Sequence, residues 1–267
     1  MAIDFSFKDK YDFEDLVHIV KILREPGGCP WDRKQTHTSI RENFLEETYE
    51  VLEAIDNLDP VLMQEELGDV LLQVVMHADM ARDEKWFSIN EVCNDICQKL
   101  IVRHPHVFGD VTVSSAGEVL KNWDDIKRQT KSQKTQSEAM AAIPATYPAL
   151  MKAQKVQSKA KKAGFDWDNA EGAFLKVEEE CEELKSALAC GDAFQVEDEL
   201  GDLLFSAVNV ARFCKCDAET ALEKATQKFM KRFTVTEKLA SEKGIDMKEA
   251  SIEVLDSLWE EAKALTK

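Results

Sequence analysis

The sequence is poor in helix-breaking residues, with only 10 glycines and 6 prolines among its 267 residues. Long stretches without such breakers favour helices, and alternating strand-like stretches are nearly absent. Apolar runs fall far short of the ~20 residues that a membrane-spanning helix requires. The N-terminus also lacks the basic start and apolar core of a secretory signal. The sequence therefore predicts an all-α protein that neither enters nor crosses a membrane.

Paired cysteines and an excess of basic residues are missing as well. The seven cysteines form no CxxC pair and no Cys/His metal spacing, which indicates free thiols in a reducing cytoplasm. The formal net charge is −17, so the chain has no extended basic face for a nucleic-acid backbone. We expect no nucleic-acid partner. A small phosphorylated ligand is still compatible, because it needs only a local basic cluster.

An acid–glycine–acid phrase is present twice, at a spacing of 133 residues: QEELGDVLLQV at 64–74 and EDELGDLLFSA at 197–207. Other landmarks recur in the same order: the acidic clusters at 45–55 and 177–188, the basic segments at 99–108 and 228–237, the tryptophan segments at 119–127 and 254–263, and CPWD at 29–32 with FDWD at 165–168. Chance does not account for such an order. The sequence predicts two copies of one helical domain.

We place the N-terminal domain at residues 12–126 and the C-terminal domain at residues 145–264. The polar segment between them, residues 127–144, is predicted to be a linker with a turn near Pro144 and Pro148. Within each copy, a breaker separates two long helical segments. These breakers are the Asn-Leu-Asp-Pro sequence at 57–60 and the Cys-Gly-Asp sequence at 190–192.

The acidic residues are spaced to converge between the two helices of each copy. Side chains three residues apart share a helix face, so Glu47 projects with Glu50, and Glu66 projects with Asp69. In an antiparallel pair that turns near residues 58–59, Glu50 lies level with Glu66, and Glu47 lies level with Asp69. In the second copy the turn lies near residue 191. Glu183 and Glu199 are equally far from that turn, and so are Glu180 and Asp202.

Four converging carboxylates need either water or a cation. Two carboxylates about 5 Å apart repel each other by roughly 3 kcal/mol at an effective dielectric of ~20. A solvated helix face explains a single ExxE, but matched pairs that occur twice favour a metal site. An all-oxygen set favours Mg²⁺ or Mn²⁺ over zinc. We further expect Gly68 and Gly201 to let the two helices approach closely beside the acids.

Residues near the acidic pairs indicate which kind of metal site and which ligand the protein has. A di-iron bundle uses Glu-x-x-His, and the residue three positions after Glu66 and Glu199 is aspartate, so that alternative is disfavoured. Protein-bound Mg²⁺ commonly shares its remaining coordination sites with substrate phosphates. The second copy has a basic cluster that suits phosphates, although such a run is equally typical of a solvated face. Its residues are Lys228, Lys231 and Arg232, whereas the first copy has Lys99 and Arg103 with Ile101 and Val102 between them.

Five segments resemble the MazG family of nucleoside triphosphate pyrophosphohydrolases, over about residues 15–263. They are EPGGCPWDRKQTHTSI, LEETYEVLEAI, EELGDVLLQVV, RHPHVF and IPATYPALMKAQKVQSKAKKAGFDW. GCPWD together with RHPHVF is typical of the two-domain form. The resemblance implies tandem helical-bundle domains of the MazG type, a homodimer, and Mg²⁺ bound by an EExxE…ExxD motif. It also implies hydrolysis of ribo- and deoxyribonucleoside triphosphates to the monophosphate and pyrophosphate.

The resemblance assigns residues in both copies. The implied metal ligands are Glu180, Glu183, Glu199 and Asp202 in the second copy, and Glu47, Glu50, Glu66 and Asp69 in the first. The implied substrate contacts are Lys176, Val177, Glu178, Glu179, Glu180, Asp198, Glu199, Leu200, Gly201, Asp202, Lys228, Phe229, Met230, Lys231, Arg232 and Trp259. Glu179, beside the metal ligands, is the candidate to orient or deprotonate the attacking water.

Two departures from the family pattern affect these assignments. Some relatives have a phosphate-binding lysine shortly before the ELGD-type motif, and this chain has Gln195 there. In the first copy the basic cluster is interrupted at Val102. We therefore expect the second copy to be the main catalytic site and the first copy to be a weaker, metal-capable site.

Two other functions fit the sequence. One is a non-catalytic helical dimer whose acidic faces bind a partner in a regulatory or stress pathway. The other is an enzyme restricted to dUTP or dCTP. A broad pyrophosphohydrolase that clears the nucleotide pool is the function that the resemblance favours, and turnover of all eight nucleoside triphosphates separates the three.

Overall fold

The structure, a computed structural model, describes residues 5–119, 122–123, 126 and 135–266. Every regular element within these residues is helical, which confirms the predicted all-α class. The chain divides into two compact units, residues 1–127 and residues 128–267. Among the described residues, no helix is both long enough and apolar enough to cross a bilayer.

The N-terminal unit is built around an antiparallel pair of long helices. Its helices are α1 (Phe13–Arg24), α2 (Arg41–Asp56), α3 (Pro60–Asp83), α4 (Ile89–Arg103) and α5 (Pro105–Phe108), with a 3₁₀ turn at Asp32–Lys34 between α1 and α2. Asp59 caps α3 and Pro60 occupies its first position, where the missing amide proton costs nothing. Residues 116–119, 122–123 and 126 are also helical.

The core of the N-terminal unit lies where α1 and α3 meet. Val20 from α1 and Val75 from α3 are fully buried, and Ile40, Met76 and Met80 pack with them. These residues occupy one face of each helix. Asp69 lies two helical turns before Met76 on the same face of α3, so the acids continue the buried face of this helix toward its turn with α2.

The C-terminal unit repeats the long antiparallel pair. Its helices are α6 (Gln136–Ala141), α7 (Ala149–Lys162), α8 (Ala170–Cys190), α9 (Ala193–Phe213), α10 (Ala218–Glu242) and α11 (Ile252–Leu265). The turn between α8 and α9 uses Gly191 at φ 73°, a left-handed conformation that glycine adopts without strain. Asp192 then caps α9, accepting from the Phe194 amide at 3.0 Å.

Two glutamines of helix α7 form hydrogen bonds with neighbouring elements. The Gln157 side chain is buried and donates to the Phe205 carbonyl of α9 at 2.7 Å. Gln154 donates to the Cys216 carbonyl at 2.8 Å and accepts from the Ala218 amide at 3.0 Å. These bonds fix α9 and the start of α10 against the same helix.

The predicted linker, residues 127–144, is only partly described. Residues 127–134 lie outside the described residues, and the remainder contains α6. The predicted turn near Pro144 and Pro148 is present, and in it the Tyr147 amide donates to the Pro144 carbonyl at 3.3 Å. The boundaries 12–126 and 145–264 stay a prediction.

The expectation for Gly68 and Gly201 is wrong. A Cβ atom built at either position meets no atom of a neighbouring element within 4 Å, and both residues are exposed. The reason is geometric: Gly68 follows Glu66 by two residues, which is about 200° around a helix. Since Glu66 faces α2, Gly68 faces away from it, and the same holds for Gly201 after Glu199.

Candidate metal and nucleotide sites

The N-terminal cluster consists of Glu47 and Glu50 on α2 and Glu66 and Asp69 on α3. Glu47, Glu66 and Asp69 each have a carboxylate oxygen within 4.8 Å of the others. Glu50 lies close enough to Glu47 and Glu66 to raise the pKa of both, so it belongs to the same group. The structure thus brings together all four acids whose heights match about the turn.

Crowding perturbs the acids of the N-terminal cluster. Burial raises the pKa of Glu47, and the proximity of Glu50 and the charge of Asp69 raise it further. Burial likewise raises the pKa of Glu66, followed by the charge of Glu50. Every neighbour that the shifts identify is another acid. The N-terminal cluster therefore concentrates negative charge.

The C-terminal cluster consists of Glu180 and Glu183 on α8 and Glu199 and Asp202 on α9. Glu180, Glu199 and Asp202 again place carboxylate oxygens within 4.8 Å of one another. The pKa of Glu183 is raised, first by desolvation and then by its proximity to Glu180. The geometry of the first cluster is thus repeated in the second unit.

A lysine distinguishes the C-terminal cluster. The Lys176 Nζ lies 2.7 Å from Glu180 Oε1 and 2.9 Å from Glu179 Oε1. Hydrogen bonds to these two acids raise the pKa of Lys176. The residue at the equivalent position of the first copy, 133 residues earlier, is Asn43. The C-terminal cluster therefore has a cation of its own, and the N-terminal cluster has none at that position.

Both clusters suit a hard divalent cation. The Glu180 side chain is only 5% exposed, and its Oε2 atom is buried without a hydrogen-bond partner. An unpaired buried carboxylate oxygen is costly unless a ligand satisfies it. The donors are all carboxylate oxygens, which Mg²⁺ and Mn²⁺ prefer. The residues present fit such an ion.

The predicted phosphate contacts lie on α10. Lys228 and Lys231 are exposed, and Arg232 is partly buried with an Nε that has no hydrogen-bond partner. No ion pair between described residues involves any of the three. Trp259 on α11 is half-buried against the exposed Phe229, at 5.0 Å between ring centroids. Their exposed groups can meet a ligand, but no hydrogen bond or ion pair between described residues joins them to the C-terminal cluster.

The other predicted substrate contacts lie on α8 and α9, beside the C-terminal cluster in the sequence, and on α10. Most of them are exposed: Glu178, Glu179, Asp198, Leu200, Gly201 and Met230. Val177 is half-buried. Gln195, which replaces the lysine of some relatives, is exposed on the first turn of α9.

Residues 35–108 and 170–240 match the model of the MazG nucleotide pyrophosphohydrolase domain. The chain belongs to the MazG family. Each matched segment contains one of the two acidic clusters, so the duplication seen in the sequence is a duplication of the MazG domain. This agrees with the resemblance that the motifs carry.

Two relatives match this chain over nearly their whole length, and a third matches it over about half of its own length. The nucleoside triphosphate pyrophosphohydrolase/pyrophosphatase MazG of Thermotoga maritima is 49% identical over 94% of this chain and 95% of its own length. The nucleoside triphosphate pyrophosphohydrolase of Escherichia coli K12 is 43% identical over 93% of this chain and 95% of its own length. Bacillus subtilis YabN, an uncharacterized protein, is 46% identical over 95% of this chain and 52% of its own length.

Sequence reasoning missed two features of these units. The pairing of Lys176 with Glu180 was visible as an i,i+4 spacing, which places the two side chains on one helix face. The second is a pair of hydrogen-bonded imidazoles, His37 and His77, which are 40 residues apart. No local sequence pattern predicts that contact, because the two histidines meet only after α3 folds back beside α2.

Proposed function

We propose that this MazG protein hydrolyses nucleoside triphosphates between the α and β phosphates, in the presence of Mg²⁺ or Mn²⁺, to a nucleoside monophosphate and pyrophosphate. The observation that carries the proposal is the convergence of carboxylates in each unit, with one buried Glu180 oxygen left unpaired. Relatives over nearly the whole chain are named for this activity. A solvated acidic face does not account for a buried, unpaired oxygen.

In the proposed mechanism, the C-terminal cluster holds the cation through Glu180, Glu183, Glu199 and Asp202. Mg²⁺ bound there would supply positive charge to the phosphate oxygens and to the pyrophosphate leaving group. Lys228, Lys231 and Arg232 hold the β and γ phosphates. Trp259 and Phe229, whose rings lie 5.0 Å apart, contact the nucleotide.

Glu179 is the proposed base for the attacking water. Its carboxylate accepts a hydrogen bond from Lys176 at 2.9 Å, which holds it beside Glu180. The water oxygen forms a bond to the α phosphorus, and its proton passes to Glu179. The bond between the α phosphorus and the bridging oxygen breaks, and the electron pair leaves with pyrophosphate.

The C-terminal unit is proposed as the main site and the N-terminal unit as the weaker one. In the N-terminal unit, the guanidinium of Arg103 lies over the Trp123 ring at 5.3 Å. A cation engaged on a ring is a poorer phosphate ligand than the open cations of α10. Lys99 is then the one other basic residue that corresponds to the C-terminal basic cluster.

Pyrophosphate release from each of the eight nucleoside triphosphates, measured with Mg²⁺ and with the Glu199→Gln variant, tests the proposal. We expect broad turnover by the wild type and a loss of about 100-fold in the variant, since even residues that only support a metal ligand contribute 10–100-fold. Glu197→Gln, an exposed acid on the same helix, is the matched control. Unchanged release in Glu199→Gln contradicts the metal assignment.

The same measurement separates the alternatives. Turnover confined to dUTP or dCTP identifies a restricted enzyme. Absence of turnover with all eight substrates favours the regulatory helical dimer. Detection of the monophosphate together with pyrophosphate, rather than diphosphate and phosphate, fixes the bond that is cleaved.

We further propose that the protein is a homodimer. On α2, the side chains of Leu45, Tyr49, Leu52 and Ile55 recur along one face and are each about half exposed. An apolar face of this length is typical of an interface between subunits. A second copy fits it best, because an identical α2 face offers the same apolar stripe. Sedimentation should give a dimer for the wild type and a monomer for Leu52→Lys, with Leu58→Lys in the neighbouring turn as control.

The cytoplasm is the proposed location. All seven cysteines are free thiols, and five of them are exposed. Exposed thiols persist in a reducing compartment and pair in an oxidising one. Fractionation of cells that produce the tagged protein checks this, and recovery outside the cytoplasm contradicts it.

A further inference from the structure

Two imidazoles connect the segment before α2 to α3. The Nδ1 atoms of His37 and His77 lie 2.8 Å apart, although the residues are 40 positions apart in the chain. The ring centroids are 5.1 Å apart and the ring planes differ by 11°. The centroid separation is close to the nitrogen distance plus a radius of each ring, so the two rings are coplanar and meet edge to edge. We call these two residues the histidine pair.

The histidine pair attaches residues 35–39 to α3. Among the described residues, every other hydrogen bond of this segment has its partner within residues 31–41. The chain is held on both sides of the segment, because Arg24 donates to the Asp32 carbonyl at 3.0 Å and Ile40 is buried. Loss of the hydrogen bond between the imidazoles would therefore free residues 35–39 and leave both flanking contacts in place.

A count of protons shows that the hydrogen bond suits a neutral pair. Two neutral imidazoles carry two protons, so one Nδ1 donates, the other Nδ1 accepts, and one outer Nε2 is protonated. A third proton can keep the hydrogen bond only if both Nε2 atoms are protonated, because one Nδ1 must stay bare to accept. The His37 Nε2 atom is buried and has no hydrogen-bond partner among the described residues. A proton on it would be a buried unpaired donor, which is costly, so the outer proton of the neutral pair belongs on His77.

The charged groups around the histidine pair offer a third proton no compensation. Arg41, at the start of α2, lines the cavity beside the pair. Apart from His77, the residues of α3 and α4 that line this cavity are apolar. In the turn before α4, Glu84 and Lys85 are exposed and carry opposite charges. An added proton therefore meets a positive charge and apolar walls, with no carboxylate among the described lining residues.

The rings of two aromatic residues help to enclose the histidine pair. Trp86 lies nearly parallel to His37, at 5.4 Å between ring centroids and 8° between planes. Phe44 meets the His77 ring at 73°, with 5.8 Å between centroids. Burial, and then the charge of His37, lower the pKa of His77 below its ordinary value of 6.5. A proton is therefore bound more readily when the pair has opened to water than when it is closed.

We propose that the histidine pair is an acid-sensitive contact, which holds residues 35–39 on α3 when it is neutral and opens when it takes up a proton. The closed form is fully favoured above pH 6.5, where both forms are neutral. As the pH falls from 6.5 toward the lowered pKa of His77, the open form binds a proton and the closed form does not. The equilibrium constant for opening then rises by up to about 10-fold per pH unit for each proton taken up.

This acid response belongs to the N-terminal unit. The residue that follows His77 by 133 positions is Val210, which cannot take part in such a pair. The C-terminal unit therefore lacks the contact at the corresponding position of its long helix. Mild acid should loosen the segment before α2 and leave the C-terminal helices unaffected.

Full-length protein labelled with ¹⁵N-histidine tests the hydrogen bond directly. A scalar coupling between the two Nδ1 nuclei reports an N–H···N hydrogen bond, and the chain has 5 histidines to assign. At pH 7.5 we expect this coupling, with His37 protonated at Nδ1 and bare at Nε2. The coupling should disappear below pH 6.5, in the same step that protonates the ring of His77.

Hydrogen exchange gives a second readout, from the Ser39 and Ile40 amides that donate to the Thr36 carbonyl. After correction for the intrinsic pH dependence of exchange, their protection should fall by up to about 10-fold from pH 6.5 to pH 5.5. His77→Gln does not titrate in this range and should abolish the fall. The matched control is His18→Gln, an exposed histidine of α1, which should retain it.

Two results would overturn the proposal. One is a scalar coupling that survives protonation of the His77 ring, because the pair then holds a third proton without opening. The other is a fall in protection that persists in His77→Gln, because another titrating group then causes it. If His77→Gln prevents the N-terminal unit from folding, the coupling measured in the wild type decides alone. The rate of pyrophosphate release tests the proposed function separately from all of these measurements.

Discussion

The two acidic clusters share a geometry and differ in charge. In both units, three carboxylate oxygens converge within 4.8 Å from the two helices of a hairpin. In the C-terminal cluster, Lys176 contacts Glu180 at 2.7 Å, whereas Asn43 occupies the corresponding position of the N-terminal unit. The duplicated domains have thus kept the backbone that positions the acids. The two units differ in whether a basic side chain neutralises part of the acids' charge when no cation is bound.

A second comparison concerns the arginines that support each unit. In the N-terminal unit, Arg24 of α1 donates to the Asp79 carboxylate at 2.9 Å and to the Asp32 carbonyl at 3.0 Å. In the C-terminal unit, Arg212 of α9 pairs through two nitrogens with Asp166. Residues 79 and 212 correspond at the offset of 133, so this position of the long helix carries the acid of the ion pair in the first unit and the base in the second. Each arginine nevertheless ties the loop of the CPWD or FDWD sequence to the helix pair.

Removing one acid from each cluster tests the functional side of the comparison. We expect Glu180→Gln to lower the rate of pyrophosphate release by about 100-fold or more, because it removes a metal ligand. Glu47→Gln should lower it by less than about 10-fold, since the N-terminal cluster lacks the open basic cluster of α10. The measurement is steady-state release with Mg²⁺ and one nucleoside triphosphate.

Glu182→Gln and Glu53→Gln are the matched controls, being exposed acids on the same two helices. Both should retain the wild-type rate. Equal losses in Glu180→Gln and Glu47→Gln would show that the two units contribute alike, against the proposed ranking.

Removal of each supporting arginine should affect the two units unequally. Arg24 and Asp79 have side chains only 8% and 6% exposed, so Arg24→Met leaves a buried carboxylate that keeps one partner, Arg82 at 2.7 Å. Breaking a buried pair costs ~3–5 kcal/mol, and we expect about 3 kcal/mol of unfolding free energy here. The Asp166 side chain is 16% exposed and reaches water, so Arg212→Met should cost about 1–2 kcal/mol. Urea unfolding followed by circular dichroism measures both, and a larger loss in Arg212→Met contradicts this account.

Much of the hairpin could be predicted because its determinants are local. Asp59 and Pro60 start α3, Gly191 allows the second turn, and spacing on one helix face sets the height of each acid. Those signals need no knowledge of the rest of the fold. They were sufficient to predict that acids from both helices of each pair converge.

The features that were missed or mistaken depend on how helices pack. The glycines of the ELGD phrases lie on outward faces, although their position beside the acids suggested a close approach. The apolar stripe of α2 predicted a helix correctly, but Leu45 and Leu52 are half exposed within the chain. Periodicity identifies a helix face, and it does not say which partner covers that face. His37 and His77 meet only through the tertiary fold.

Exchanging the residues at positions 43 and 176 should exchange the cation affinities of the clusters. Lys176→Gln removes an internal cation that competes for Glu180, so Mn²⁺ should bind the C-terminal cluster about 10-fold more tightly. Asn43→Lys places a lysine four residues before Glu47 and should weaken the N-terminal cluster by a similar factor. Each variant is measured by Mn²⁺ titration with the other cluster disabled. Asn43→Gln is the neutral control. An unchanged affinity in Lys176→Gln would show that Lys176 does not compete measurably with the cation for Glu180.

The smallest expected effect is a difference in pH dependence without divalent cations. The pKa values of Glu47 and Glu66 are raised above the ordinary value of 4.5, so the folded N-terminal unit holds these protons more tightly than the unfolded chain. This stabilisation is complete below pH 4.5 and is lost as the pH rises through the raised values. In the C-terminal cluster, the pKa of Glu183 is raised, and the charge of Lys176 opposes the rise. The double variant Glu47→Gln and Glu66→Gln should therefore raise the thermal midpoint, measured in chelator, by more at pH 8 than at pH 5. Glu183→Gln should show the same trend with a smaller difference between the two pH values. Equal gains at both pH values would mean that the glutamines act through packing rather than charge, and the electrostatic contrast between the two units would then have no consequence for stability.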